Sequence, residues 1–152
     1  MSDIEVTVTG DKQLVAKLNN FIGSAGLNLK RSMGASGLYL TNFFGGEAFT
    51  SRGRVFGEPW PALNSAYAAY KARTWPGRPP LIRTGLMQRS FKHESTRLTT
   101  SLWNEAEYFG YHQDGRGVPQ RVMMKVDEQR AARVVKYIVG DITDQMSAEG
   151  LI

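Results

Sequence analysis

His112 and Asp114 stand two residues apart and have the composition of a general base and the carboxylate that orients it. A hydrolase built on that pair also needs an activated nucleophile, and no serine, cysteine or threonine is marked out for the role. His112 therefore reads as a hydrogen-bonded structural histidine. The other histidine, His93, lies 19 residues earlier, and the chain has neither an HExxH pattern nor a cysteine. That spacing offers no metal site. Neither a phosphate-cradling P-loop nor a nucleophile elbow is present. No catalytic, cofactor-binding or metal-binding residue is assigned, and no cofactor is expected.

Charge is the second chemical signal. From Ser51 to Lys92 there are eight basic residues against one acid, Glu58, a balance of +7; the remainder, with 11 basic and 13 acidic residues, carries −2. A segregated basic stretch points to an anionic neighbour, or else to a solvated arginine-rich loop. Within it Trp60, Tyr67, Tyr70 and Trp75 interleave with Lys71, Arg73 and Arg78. Aromatics among cations stack on single-stranded nucleic acid, and they also anchor protein interfaces. Trp60 itself reads as a core residue. The segment ends in LIRTGLMQRSF, where Arg83-Thr84-Gly85 is either a phosphate loop or a structural corner.

These residues must be positioned by elements that the periodicity predicts. At 152 residues the chain suits one domain, taken as 1–146 with a protruding Arg/Pro-rich loop region 49–82 and a flexible tail 147–152. Ile4, Val6 and Val8 alternate with polar residues as in a strand, and Asp11 can cap the helix after it. Leu14, Val15, Leu18, Phe21 and Ile22 form a helical stripe. Leu29, Met33, Leu40, Phe43 and Phe44 extend it as one long kinked helix or two helices, with Gly45-Gly46 ending the run. Residues 51–64 read as a surface loop and 65–73 as a short helix. TWPGRPP cannot be helical and is expected to protrude or wrap.

Thr84 can cap a short helix that carries Leu86, Met87, Ser90 and Phe91. Lys92-His93-Glu94 pairs as a hairpin with the half-buried strand of Leu98, Thr100 and Leu102. Residues 106–112 give one or two helical turns, and Val118–Val126 a further strand. Asp127 caps a last helix with Ala131, Val134, Val135, Ile138 and Ile142 on one face. The sum is an α+β fold: a small antiparallel sheet packed with a long N-terminal helix, short middle helices and a C-terminal helix. No apolar run approaches a membrane span and the N-terminus has no apolar signal region, so no membrane partner is expected.

Four blocks of the sequence occur in a telling order: WPALNSAYAAYKAR, LIRTGLMQRSF, EYFGYHQDG and VPQR. Together they resemble the phage virion morphogenesis or tail-completion family, the Mu-type protein G group and its relatives among siphophage neck proteins. The resemblance covers about Phe49 to Asp141. It departs from the family at Phe109, where alanine is usual, at Met123-Met124, where Pro-Phe often follows the arginine, and at Leu86, which follows Gly85 without a spacer. The matching motif residues are Trp60, Thr84, Gly85, Tyr108, His112, Gln113, Pro119 and Arg121.

The resemblance implies a structural, non-enzymatic virion protein, made in the bacterial host cytoplasm. It would complete the tail or neck and enable head–tail joining as a ring, by implication a hexamer, through which DNA passes. Its partners would be further copies, adjacent neck, head-closure or tail-tube proteins, and genomic DNA touched without sequence preference. Arg52, Arg54, Arg73 and Arg78 are the expected subunit, partner or DNA-channel contacts. By the same resemblance Thr84-Gly85 becomes a corner that sets Leu86 and Phe91 into the core, and not a phosphate loop. The alternative is a nucleic-acid-binding module or non-structural assembly factor that uses the basic 51–92 segment.

Overall fold

The computed structural model describes residues 12–24 and 27–152. The strand expected at Ile4–Val8 and the Asp11 cap lie outside the described residues, as do the side chains of Leu14, Val15, Leu18 and Ile22. The chain has an α+β fold. Helix α1 (Lys12–Asn19) runs into a π turn at Asn20–Ser24. Helix α2 (Lys30–Phe43) continues through a second π turn at Phe44–Ala48 and remains helical to Thr50. Gly45-Gly46 therefore does not end the run. Glycine weakens a helix by about 1 kcal/mol, but the π turn places Phe43, Phe44, Ala48 and Phe49 all in the core. That burial outweighs the glycine penalty.

Gly34, Ser36 and Gly37 do not break α2 either. The Ser32 and Ser36 hydroxyls donate to Leu29 and Ser32 carbonyls at 3.1 and 2.7 Å, so their burial leaves no unmet donor. Gly37 is small because the hairpin sits against it. A Cβ there would collide with His93 Nδ1 and lie 2.7 Å from Thr100 Oγ1.

The hairpin pairs β1 (Phe91–Ser95) with β2 (Thr100–Asn104) antiparallel, Phe91 opposite Asn104 and Ser95 opposite Thr100. The turn Thr96–Thr99 closes with a 2.8 Å backbone bond. Thr100 and Leu102 face inward as the alternation predicts, but Leu98 belongs to the turn and is exposed. Val118–Val126 is not a third strand. Its backbone groups are taken by side chains and loops instead of a ladder: Trp60 takes Val122 O, Gln113 takes Met123 N, Met124 N and Met124 O, and His112 O accepts from Arg121 N.

Three short helices follow α2: α3 (Ser65–Thr74), α4 (Leu86–Arg89) and α5 (Phe109–Asp114). The segment 51–64 is more than a surface loop, because a 3-10 turn at Arg54–Phe56 brings Phe56 and Trp60 into the core. Aromatic rings dominate that core. Phe44 packs on Phe91 at 5.8 Å and Phe49 meets Trp60 edge-on at 5.2 Å.

Helix α6 (Glu128–Ala148) starts at Asp127, whose carboxylate accepts from Arg130 N at 3.0 Å. Its packed face differs from the expected stripe. Val134, Ile138 and Ile142 are half-buried, but Ala131 and Val135 are exposed, Val135 at 56%. Arg130 and Asp141 are buried instead. Arg130 lies over the Phe43 ring at 4.2 Å, and Asp141 accepts from Ser32 N at 3.0 Å. Polar residues with specific partners set the helix phase, which hydrophobicity alone does not report.

Burial pushes the Asp141 carboxyl up, but bonds from Ser32 and Gln145 and the nearby Arg31 charge outweigh it and hold it below its ordinary value. A folded-state value below the unfolded one stabilises fully above the unfolded pKa, about 3.9. The contribution is lost as pH falls below that value and through the folded-state pKa. The urea-midpoint advantage of wild type over Asp141→Asn is therefore expected to be constant at neutral pH and to shrink below about pH 4. An advantage independent of pH down to pH 2 contradicts this account.

A cation-lined cavity as candidate functional site

Helix α3 begins where Asn64 Oδ1 accepts from Tyr67 N at 2.8 Å. Tyr67 and Tyr70 share a face as expected, their ring centroids 6.2 Å apart, and both are exposed. Lys71, one turn after Tyr67, is only 4% exposed. The proline segment wraps back on α3: Lys71 Nζ donates to Pro79 O at 2.5 Å, Trp75 meets Tyr70 edge-on at 5.8 Å, and Arg83 stacks over Trp75 at 5.1 Å.

The next corner is built on Gly85, not on Thr84. Gly85 occupies the N-cap position of α4 with φ 80°, a left-handed conformation that glycine adopts without strain. Thr84 Oγ1 still accepts from Leu86 N at 3.3 Å, and Thr84 O accepts from Arg89 Nη1 at 2.9 Å. This turn sends Met87 inward at 2% exposure and leaves Leu86 outside at 45%, so Leu86 does not enter the core. Phe91 does.

Arg121, 4% exposed, reaches across to the Trp60 segment. Its Nε and Nη2 donate to Pro61 O at 3.0 Å and Ala62 O at 3.1 Å. Trp60 returns the tie, with Nε1 donating to Val122 O at 2.8 Å. Gln113 braces the same strip from α5, with Oε1 accepting from Met123 N and Met124 N at 2.9 and 3.1 Å and Nε2 donating to Met124 O at 2.8 Å.

Between these elements lies a half-enclosed cavity of about 230 Å³. Thr84, Gly85, Tyr108, His112 and Arg121 line it, joined by Lys71 and Arg83. Trp60, Gln113 and Pro119 do not line it, and Pro119 is exposed. Burial lowers the pKa of Lys71, His112 and Arg121, and repulsion from Arg121 adds to the effect on the first two. For His112 both effects favour the neutral imidazole. Its Nδ1 is buried without a hydrogen-bond partner among the described residues, so the expected hydrogen-bonded histidine is not what the fold provides. Asp114 does not orient it: that carboxylate turns outward to Arg116 at 3.4 Å.

Lys71 and Arg83 escaped the sequence reading as site residues. The available signal was spacing, since Lys71 follows Tyr67 by four and shares its helix edge. The four arginines singled out for contacts are all exposed. Arg52 and Arg78 flank a neighbouring groove of about 360 Å³ whose wall includes Lys71; Arg54 and Arg73 do not line it. Among the described residues no cluster of His, Asp and Glu is placed to hold a metal, and no helix is long and apolar enough to cross a membrane. No family model, curated protein or solved structure matches the chain.

Proposed function

We propose that this chain is a structural virion protein of the phage neck or tail, which completes the tail and enables head–tail joining by closing into a ring around the DNA path. One observation carries the reading beyond the resemblance itself. The motif residues Trp60, Gln113 and Arg121 spend their polar groups on backbone atoms, Arg121 on Pro61 and Ala62 of the first block and the other two on residues 122–124 just after VPQR, bracing 60–62 against 121–124. Such residues hold a shape for presentation to neighbours. The exposed Arg52, Arg54, Arg73 and Arg78 then serve subunit contacts or the DNA channel. A channel needs cations without base readout, since DNA must slide. A head-to-tail interface closes into a ring when its rotation allows, and the proposed ring is a hexamer.

Immunogold electron microscopy of the producing phage tests this, with copy number from quantitative mass spectrometry. Label at the head–tail junction in a fixed small multiple supports the ring. Unlabelled virions with the protein left in the lysate overturn it and favour the nucleic-acid-binding or assembly-factor alternative. That alternative has its own signature, a steeply salt-dependent DNA affinity of the free monomer.

A further inference from the structure

Lys71 and Arg121 are both buried, and both bond only to neutral carbonyls: Pro79 O for Lys71, Pro61 O and Ala62 O for Arg121. Among the described residues neither has a carboxylate partner, and the cavity they share has no acidic residue in its lining. A buried charge without a counter-ion is costly, and two of like sign in one wall are more so. Arg83 adds a third cation at the rim, and the buried His112 Nδ1 has no partner. The remainder of the lining is largely apolar, with Leu81 and Met87 among it. An occupant that satisfies all of this is an anion on a short apolar stem.

We propose that the cavity receives the carboxylate of an acidic side chain presented by an adjoining protein chain, with Lys71 and Arg121 as its charge partners and Arg83 as the rim contact. The identity of the neighbour rests on the virion reading above; the carboxylate chemistry does not. A carboxylate fits where a duplex phosphate does not, because Lys71 is only 4% exposed in the wall of a half-enclosed cavity and a DNA backbone stays outside one. Charge-assisted bonds from buried cations make such a contact a centre of binding energy.

Propionate, the side chain of glutamate, is the probe, and propionamide its uncharged control. Titrated into the full chain at pH 7 and followed by NMR of the His112 ring and the Arg121 Nε–H, propionate is expected to give saturable shifts with a Kd on the order of millimolar. Propionamide gives none. Lys71→Met keeps the stem, removes the charge and weakens propionate by about tenfold or more. If that variant does not fold, Arg83→Gln at the exposed rim supplies a second one, with a weaker loss in the same direction. Equal shifts from propionate and propionamide, tighter binding of inorganic phosphate, or no loss in either variant overturns the site.

The neighbour is tested in the phage. Folded Lys71→Met protein is expected to be depleted from particles, and its incorporation at the wild-type level overturns the docked occupant. Wild-type protein absent from particles strikes the virion reading itself and removes the neighbour with it, while the titration still decides the carboxylate site.

Discussion

Replacing Phe44 by alanine is expected to cost about 3–5 kcal/mol of stability, the range for emptying a fully buried aromatic position. Phe44 is 0% exposed and stands where three parts of the chain meet. Its ring lies 6.3 Å from Phe43, 6.4 Å from Phe56 and 5.8 Å from Phe91. Those partners belong to α2, to the 3-10 turn of the basic segment and to the first strand of the hairpin. Deleting the ring leaves a cavity that three rigid elements bound, so collapse around it is poor. A domain of this size loses roughly 6–20 °C in Tm for such a change. Differential scanning calorimetry measures it. A loss below about 1 kcal/mol means that the π turn unwinds and refills the gap, since full burial excludes so small a cost in a fixed backbone. The comparison variant is Val135→Ala on the exposed side of α6, where surface changes stay within about 0.5 kcal/mol.

The π turn that carries the helix on past Phe44 was invisible to periodicity. A stripe at 3.6 residues reads Phe43-Phe44 as the last core positions, and Gly45-Gly46 then reads as a stop. One extra residue per turn resets the phase, so Ala48 and Phe49 return to the same face. The hairpin, by contrast, was legible in its strands, because alternation over Thr100–Asn104 is a local signal, although its turn lies at 96–99 and takes in Leu98, which the alternation had counted with the strand. Asp127 was legible for the same reason, a capping side chain acting three residues ahead. The face of α6 was not, because the burial of Arg130 and Asp141 depends on partners more than 80 residues away, Phe43 and Ser32. The cavity shared this fate. Motif residues named one by one gave no hint that Thr84, Tyr108, His112 and Arg121 line a single recess with Lys71, since that convergence is a property of the tertiary fold.

Gln113→Ala is expected to destabilise by about 3 kcal/mol, nearly as much as losing a core ring and for a different reason. Two backbone N–H groups, Met123 N and Met124 N, depend on one side-chain oxygen, and Met123 is fully buried. Removing the acceptor strands both donors, and each unsatisfied buried group costs about 1–3 kcal/mol. The Met124 carbonyl loses its donor as well. Gln113→Glu separates the two halves of the clamp. Its carboxylate still accepts from Met123 N and Met124 N, but its second oxygen meets Met124 O where the amide had donated. Glu is therefore expected to fall between wild type and Ala at pH 7, measured by urea unfolding, and to recover as the pH drops and a carboxyl proton restores the donor. If Gln113→Ala instead unfolds with the wild-type midpoint, water has entered behind Met123 and the 118–126 strip is not held by this amide. The clamp also explains how the strip is held in place without being a strand. A single glutamine reading both the donors and the acceptor of adjacent residues does locally what a neighbouring strand does along a ladder, and it leaves Arg121 and Trp60 free to tie the same strip to 60–62.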